Sequence, residues 1–481
     1  MNNVQTVRNE AGGETGPSDR LPPGAFATMM VVVLGALPVM LDTTIVNIAI
    51  NHLKDIFSTD LAVVQWAVTG YVLALGIAVP FAGWLLKRVD GKTLFMGATG
   101  AFLAASLLSG LAWSAEALIV FRIVQGLAAG IIMPTLTTLA VGVAGGSQNL
   151  GKLMSLMGIP VVFAPIIGPV VGGLILQYLP WQWLFFINLP IGALGLALMQ
   201  LRLPNFPATD RSAKLDWSGA LLLAVASAAL IYGITQVVHT DSQTVGVICL
   251  AVGAGALAAF LIVARRIQTS ATVPLSMFSS RNFSAAFISL FLAGFATNGP
   301  MLLLPMLFQN VRHLSVITAA LWLIPQGLGL LIGRPTIGKL TDQIGAKWVT
   351  IPSILITLVG TIPFAFFAAT TPDWAVWLAL LVRGLGVGGF TVPVMADSYV
   401  GLDKPLVPAA SVATRMIQNI GAAFGSAVLA TIVTVYATRH PQDLLGSYHA
   451  GFIASLIFMT IAIAPAWFLT NRLPARWPVP A

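Results

Sequence analysis

About fourteen runs of roughly 20 mostly apolar residues follow one another between residues 25 and 470, parted by short polar connections. Runs of that length cross a bilayer as helices, so the expected fold class is all-α, a polytopic membrane protein. The expected spans are 25–50, 62–86, 93–113, 116–140, 153–178, 184–203, 217–237, 245–264, 283–309, 315–338, 348–369, 374–396, 408–436 and 449–470. Composition agrees: 57% of the 481 residues are hydrophobic and 8% charged, where a soluble globular chain has about 25% charged.

The net charge of +8 does not point to nucleic acid, because the basic residues gather in alternate loops. With the N-terminus inside, the inner loops hold Lys87, Arg88, Lys92, Lys152, Arg202, Arg211, Lys214, Arg265, Arg266, Arg281, Lys339, Lys347, Lys404, Arg472 and Arg476. The outer loops hold mainly Lys54, Arg312 and Arg439. That asymmetry places both termini in the cytoplasm and the protein in the cell membrane. Residues 1–24 are polar, lack the apolar core of a signal peptide, and are expected to be a disordered tail, as are residues 471–481. The single cysteine, Cys249, forms no intrachain disulfide.

The chain echoes itself. Val124-Gln-Gly-Leu-Ala-Ala-Gly130 through Pro134 resembles Val382-Arg-Gly-Leu-Gly-Val-Gly388 through Pro393, and Gly83-Trp-Leu-Leu-Lys-Arg88 resembles Gly338-Lys-Leu-Thr-Asp-Gln343, at offsets of 258 and 255 residues. Two echoes at nearly one offset predict duplicated six-helix halves, 25–203 and 283–470. Between them, 204–282 holds an inserted helix pair with its linkers, expected at the periphery.

Asp42 lies inside the first apolar run, where an ionised carboxylate facing lipid would cost roughly 2.5–3.5 kcal/mol. It is the one acid deep in a predicted helix, and it is read either as a group that takes up and releases a proton or as a fixed ion-pair anchor. Asp42 lies roughly 25 Å beyond the inner end of an outward-running helix, and Arg122 falls at a similar depth on an inward-running one. Arg122 is therefore either its partner or a residue reaching to the outer interface. Arg383, in the second repeat, is a further candidate for a cavity cation, whereas Arg334 and Arg415 sit near inner helix ends and are expected to snorkel. From helix position alone, the cavity lining is expected to draw on Trp66, Tyr71, Gln125, Asn298 and Gln326.

The fifth span carries Pro160, Pro165, Gly168, Pro169, Gly172 and Gly173, a pattern for a bent or closely packed helix acting as hinge or seal. Gly91-Lys92-Thr93 is not a phosphate loop, since Leu86 stands where the motif needs glycine and no strand precedes it. The five histidines are scattered, so neither metal nor other cofactor is expected.

These segments resemble the fourteen-helix drug:proton antiporter branch of the major facilitator superfamily. The resemblance rests on Leu41-Asp-Thr-Thr-Ile-Val-Asn47, Gln65-Trp66 with Tyr71, Arg122-Ile-Val-Gln-Gly126, Gly168-Pro169 with Gly172-Gly173, and Trp181-Gln-Trp183 through Ile187-Asn-Leu-Pro-Ile-Gly192. It implies two six-helix bundles around a central cavity, and proton-coupled export of amphipathic or cationic drugs by a monomer. Asp42 then carries the proton or substrate, Arg122 ties the fourth helix to proton coupling, and the fifth-helix glycines and prolines form the antiporter bend. The expected partners are small-molecule substrate, protons and membrane lipid, and no enzymatic activity is expected.

One departure stands out. The family's inner loop reads Gly-x-Leu-Ala-Asp-Arg-x-Gly, but after Gly83 this chain has Lys87 where the aspartate belongs, which leaves Asp90 as a substitute carboxylate for the inner lock. The second copy, Gly338 through Gly345, keeps its aspartate at Asp342. The alternative reading is a proton-coupled transporter of one metabolite, with Arg122 or Arg383 pairing a substrate carboxylate.

Overall fold

The computed structural model describes residues 24–144, 150–237, 242–268 and 271–471, apart from the side chains at 47, 48, 51, 61, 62, 156–166, 169, 316 and 404. The expected tails, the basic residues Arg472 and Arg476, and the side chains of Pro160, Pro165 and Pro169 lie outside the described residues.

The first half comprises α1 (Ala25–Phe57), α2 (Leu61–Arg88), α3 (Gly91–Gly110), α4 (Ala115–Ala144), α5 (Leu150–Tyr178), the short α6 (Trp183–Phe186) and α7 (Asn188–Arg202). An inserted pair comes next, α8 (Trp217–Gln236) and α9 (Gln243–Ile267). The second half comprises α10 (Arg281–Arg312), the short α11 (Val316–Leu321), α12 (Ile324–Ile344), α13 (Ala346–Ala365), α14 (Asp373–Asp397), α15 (Val407–Arg439), α16 (Leu444–Ile461) and the short α17 (Ile463–Ala466). Thirteen spans among the described residues are long and apolar enough to cross a membrane, and α5 adds a further helix of 29 residues. The protein is thus a multi-pass, all-helical membrane protein of about fourteen crossings.

Most helices start or stop several residues beyond the expected spans. α1 and α15 each run 33 residues, about 50 Å at 1.5 Å per residue, against a hydrocarbon core of roughly 30 Å. The apolar pattern marks what lies in lipid, while helical hydrogen bonding continues past it. Successive crossings alternate in direction, so α2, α7 and α9 end on one face, and the basic residues that close all three make it the basic face.

Close approach of α2 to α4 and of α12 to α14 gives each half a tight core. A Cβ on Gly126 would meet the Tyr71 carbonyl oxygen at 2.3 Å, and one on Gly384 would meet that of Gln326 at 2.0 Å. Only glycine allows backbone to reach backbone at these crossings. α8 packs against α2 and also against α15 of the other half, with α9 on its outer side.

Candidate functional site

Gly126 draws α4 onto α2 one turn beyond Arg122, and the arginine is 1% exposed as a result. A buried guanidinium must find acceptors, and it finds three: Nε donates to the Ala67 carbonyl at 3.1 Å, and one terminal nitrogen donates to Asp42 Oδ2 at 2.5 Å and to Gln125 Oε1 at 2.7 Å. Its Cζ lies 4.2 Å from the centre of the Tyr71 ring, a cation–π contact. The second oxygen of Asp42 accepts from Gln125 Nε2 at 3.1 Å and from Asn188 Nδ2 at 3.2 Å. Asn188 also donates to Ser106 Oγ at 3.1 Å, and Ser106 in turn donates to the Phe185 carbonyl at 3.0 Å.

Asp42 is fully enclosed, so α1, α3, α4 and α7 converge on one ion pair. Removing one partner from such a buried pair costs about 3–5 kcal/mol, because it strands the other charge. Protonating Asp42 would have a related effect: the carboxyl loses its charge and its hold on Arg122, which keeps Gln125 and the Ala67 carbonyl. The arrangement is a buried, charged clasp between α1 and α4.

The fifth-helix glycines press on the residues just beyond Asp42. A Cβ on Gly168 would sit 2.1 Å from Thr44 Oγ1, and one on Gly172 would sit 3.3 Å from the Ile45 carbonyl oxygen. Gly173 faces across the halves, with Ile317 at 3.6 Å from its ideal Cβ position.

In the second half, Arg383 is fully enclosed and donates to Gln326 Oε1 at 2.7 Å and to the Ala296 carbonyl at 3.0 Å, and no carboxylate among the described residues pairs with it. The glycine crossings align Gly126 with Gly384, so Arg383 stands in the place of Gln125 and Leu380 in that of Arg122. The arginine of the second repeat is thus one turn removed from the first. Asn298 and Gln326 line a cavity of about 280 Å³ within this half, together with Arg334, Arg415, Gln418 and Asn419.

Three groups of residues sit elsewhere than helix position suggested. Trp66 is 44% exposed and stacks on Tyr232 of α8 at 5.9 Å between centroids, so it seats the inserted pair instead of lining that cavity. Tyr71 and Gln125 belong to the Asp42 cluster in the first half, apart from the cavity of the second half. Arg334 and Arg415 do not snorkel: Arg334 is 6% exposed and donates to the Ser155 carbonyl of α5 at 3.2 Å, and Arg415 donates to Gln418 Oε1 at 3.3 Å. Sequence reasoning also gave no role to Asn188, although it lies within the motif that ends at Gly192, or to Ser106.

The basic face is closed by contacts between halves, and the two loop copies contribute unequally. Asp342 accepts from the amides of Gly151 at 2.7 Å and Lys152 at 3.1 Å, capping the start of α5, while Gly338 allows the close approach: its ideal Cβ lies 2.8 Å from the Gly151 carbonyl oxygen. Gly83 abuts the start of α15, where an added Cβ would meet Val412 at 3.1 Å, but four residues on stands Lys87. The substitution of Asp90 for the missing aspartate does not occur. Asp90 accepts from the Ala208 amide at 3.0 Å and from Arg211 at 3.1 and 3.3 Å, so it pins the linker after α7, and among the described residues its side chain has no hydrogen bond to the second half. The Ala208 amide, then Arg211, hold its carboxyl below the usual range. Thr138 donates to Ser411 at 2.9 Å under this closed face.

Among the described residues no group of His, Cys, Asp and Glu side chains is arranged to hold a metal. Residues 32–426 match the family described as the Major Facilitator Superfamily. Over 435 residues the chain is 30% identical to a multidrug resistance protein B homolog of Mycobacterium tuberculosis, an alignment spanning 89% of this chain and 80% of that one. Over 430 residues it is 29% identical to the multidrug export protein EmrB of Escherichia coli K12, spanning 88% and 83%. The human organic anion transporter MFSD10 superposes with a TM-score of 0.63 at 14% identity, covering 92% of this chain and all of that one. The proton:xylose symporter XylE superposes with a TM-score of 0.62 at 15% identity, covering 92% and 96%. At those identities the structural likeness speaks for the fold alone. On these grounds the chain belongs to the major facilitator superfamily, a family of transporters.

Proposed function

We propose that this protein exports amphipathic, drug-like compounds across the cytoplasmic membrane in exchange for protons, with both termini inside and the basic face cytoplasmic. The observation that carries the reading is the enclosed Asp42–Arg122 pair, 2.5 Å across, with Gln125 and Asn188 on the second carboxylate oxygen. Similarity to multidrug resistance and multidrug export proteins supports the substrate class.

In this reading a proton arriving from outside neutralises Asp42 and frees α4 from α1. Gly168 and Gly172 transmit the change, because α5 packs on Thr44 and Ile45, directly beyond the carboxylate. The loss of that proton to the cytoplasm restores the pair and resets the cycle. The carboxylate is a charge that must stay paired when ionised, so protonation state and helix arrangement are linked.

The test is transport in sealed inside-out vesicles with an imposed proton gradient and a fluorescent amphipathic probe. Wild type should accumulate the probe, a protonophore should abolish accumulation, and Asp42→Asn should leave only downhill flux. Uphill accumulation by Asp42→Asn at the wild-type level would remove Asp42 from the coupling, and protonophore-insensitive wild type would remove the proton.

A further inference from the structure

The cavity of about 280 Å³ between α10, α12, α14 and α15 has an unusual lining for a transporter expected to take cations. Met301, Leu330 and Val387 form apolar wall, and Arg334 and Arg415 supply charge, yet no aspartate or glutamate lines it among the described residues. Their hydrogen-bond partners are neutral: Arg334 has the Ser155 carbonyl and Arg415 has Gln418, and the Nε of each is buried without a partner. Arg383 lies behind the wall, bonded to Gln326 and the Ala296 carbonyl, with its Nε also unpartnered. Guanidinium stays protonated in proteins, so three positive charges share this interior with neutral acceptors. Charges so placed within a membrane protein are costly without a counter-ion, and a guanidinium fork matches a carboxylate or sulfonate.

We propose that this cavity binds an organic monoanion, its acid group held by Arg334 and Arg415 and its apolar body by Met301, Leu330 and Val387. A dry cavity of about 150 Å³ accommodates benzene, so a volume near 280 Å³ fits a body of roughly two fused rings. Such a site narrows the substrate class of the export reading, and it depends on that reading only for transport of the bound anion. Arg334 also tethers Ser155 on α5. An anion that recruits this guanidinium therefore competes with a contact between the halves.

The experiment is equilibrium binding of radiolabelled 2-naphthoate to the purified full chain in nanodiscs of zwitterionic lipid. Competitors are 2-naphthamide, 2-naphthylmethylammonium, inorganic phosphate and, in separate discs, phosphatidylglycerol. Naphthoate should bind at least tenfold more tightly than the amide, the ammonium should not displace it, and phosphate and the anionic lipid should compete weakly. Arg334→Gln and Arg415→Gln should each weaken naphthoate tenfold or more, and Arg334→Lys and Arg415→Lys less, while affinity for the amide holds and reports an intact fold. The proposal is overturned if amide or ammonium binds as well as naphthoate, or if both Gln variants retain wild-type affinity. It is equally overturned if phosphate displaces as effectively, which would make this a bare anion site, or if phosphatidylglycerol does, which would make it a lipid site. No gradient is needed, so loss of proton coupling through Asp42 leaves this result standing, and failure here leaves that coupling standing.

Discussion

In the first half Gly126 presses α4 onto α2 and Arg122 finds a carboxylate; in the second, Gly384 presses α14 onto α12 in the same way and, among the described residues, Arg383 finds Gln326 and a backbone carbonyl but no carboxylate. α1 supplies Asp42 to the first site, whereas α10, the corresponding helix, contains no acidic residue and offers Thr297 and Asn298. Among the described residues, the duplicated scaffold therefore carries a neutral pair in one half and positive charge without a paired carboxylate in the other. Shared backbone geometry coexists with divergent electrostatics because close packing depends on glycine at the crossing, while charge depends on single side chains, one turn away at Arg122 and adjacent at Arg383.

The sharpest way to break this comparison is to remove the carboxylate. Asp42→Ala should destabilise the protein by about 3–5 kcal/mol, since it strands Arg122 in a buried site. Asp42→Asn, which still accepts from Arg122, should lose less stability while losing uphill transport. A thermal midpoint for Asp42→Ala equal to that of wild type would mean that Arg122 is not held by charge.

Arg383→Gln should cost less, about 1–3 kcal/mol, because it removes hydrogen bonds to neutral acceptors and strands no ion. Arg122→Gln, by contrast, should behave like Asp42→Ala. Equal losses for the two arginine variants would erase the distinction between the halves, and denaturant melts in detergent measure it directly.

The closed basic face offers a smaller contrast of the same kind. Asp342→Asn removes a negative charge from the start of α5, where such a charge is worth about 0.3–1 kcal/mol and up to about 2 in partly buried geometries. Lys87→Asp places one at the start of α15, in the position the first copy lacks. With Cys249→Ser as background, a cysteine placed at Ser411, buried beneath the closed face, should react several-fold faster with a maleimide in Asp342→Asn and more slowly in Lys87→Asp. Labelling that ignores both substitutions would show that charge at these helix starts does not hold the face shut.

The membrane fold and the Asp42–Arg122 pairing were legible in the sequence for a common reason: apolar runs set depth, and depth matching along rods of fixed rise brought the two residues to one level. Rotation about the helix axis was not legible. Trp66 and Tyr71 lie on one helix five residues apart, yet one faces α8 and the other lies under Arg122. Position along the helix also misled for Arg334 and Arg415: a lipid-facing arginine near a helix end reaches for the interface, but these face the interior, where no interface is available. Asn188 was visible as part of a motif, but its partner Ser106 is 82 residues away and no local pattern joins them.

The smallest effect belongs to Asp90, and it refines the contrast at the basic face by showing what the first copy of the loop does hold. Its carboxylate binds the Ala208 amide and Arg211 within the first half and its linker, so Asp90→Asn should leave maleimide labelling at position 411 unchanged. What should change is the linker: trypsin should cut after Arg211 faster in Asp90→Asn than in wild type. The pH dependence has a definite sign. The carboxyl is held below its usual range in the folded protein, chiefly by the Ala208 amide and further by Arg211, so folding favours the ionised form. The stabilisation is complete above the unfolded carboxylate range near 4 and fades as pH falls through the lower folded value. Tryptic digestion is therefore compared near neutral pH, where the anchor is intact, and a pepsin digest across the acid range should show wild type converging on Asp90→Asn as pH drops. If the two variants instead stayed apart at the lowest pH, the anchor would owe its strength to something other than the charge on Asp90.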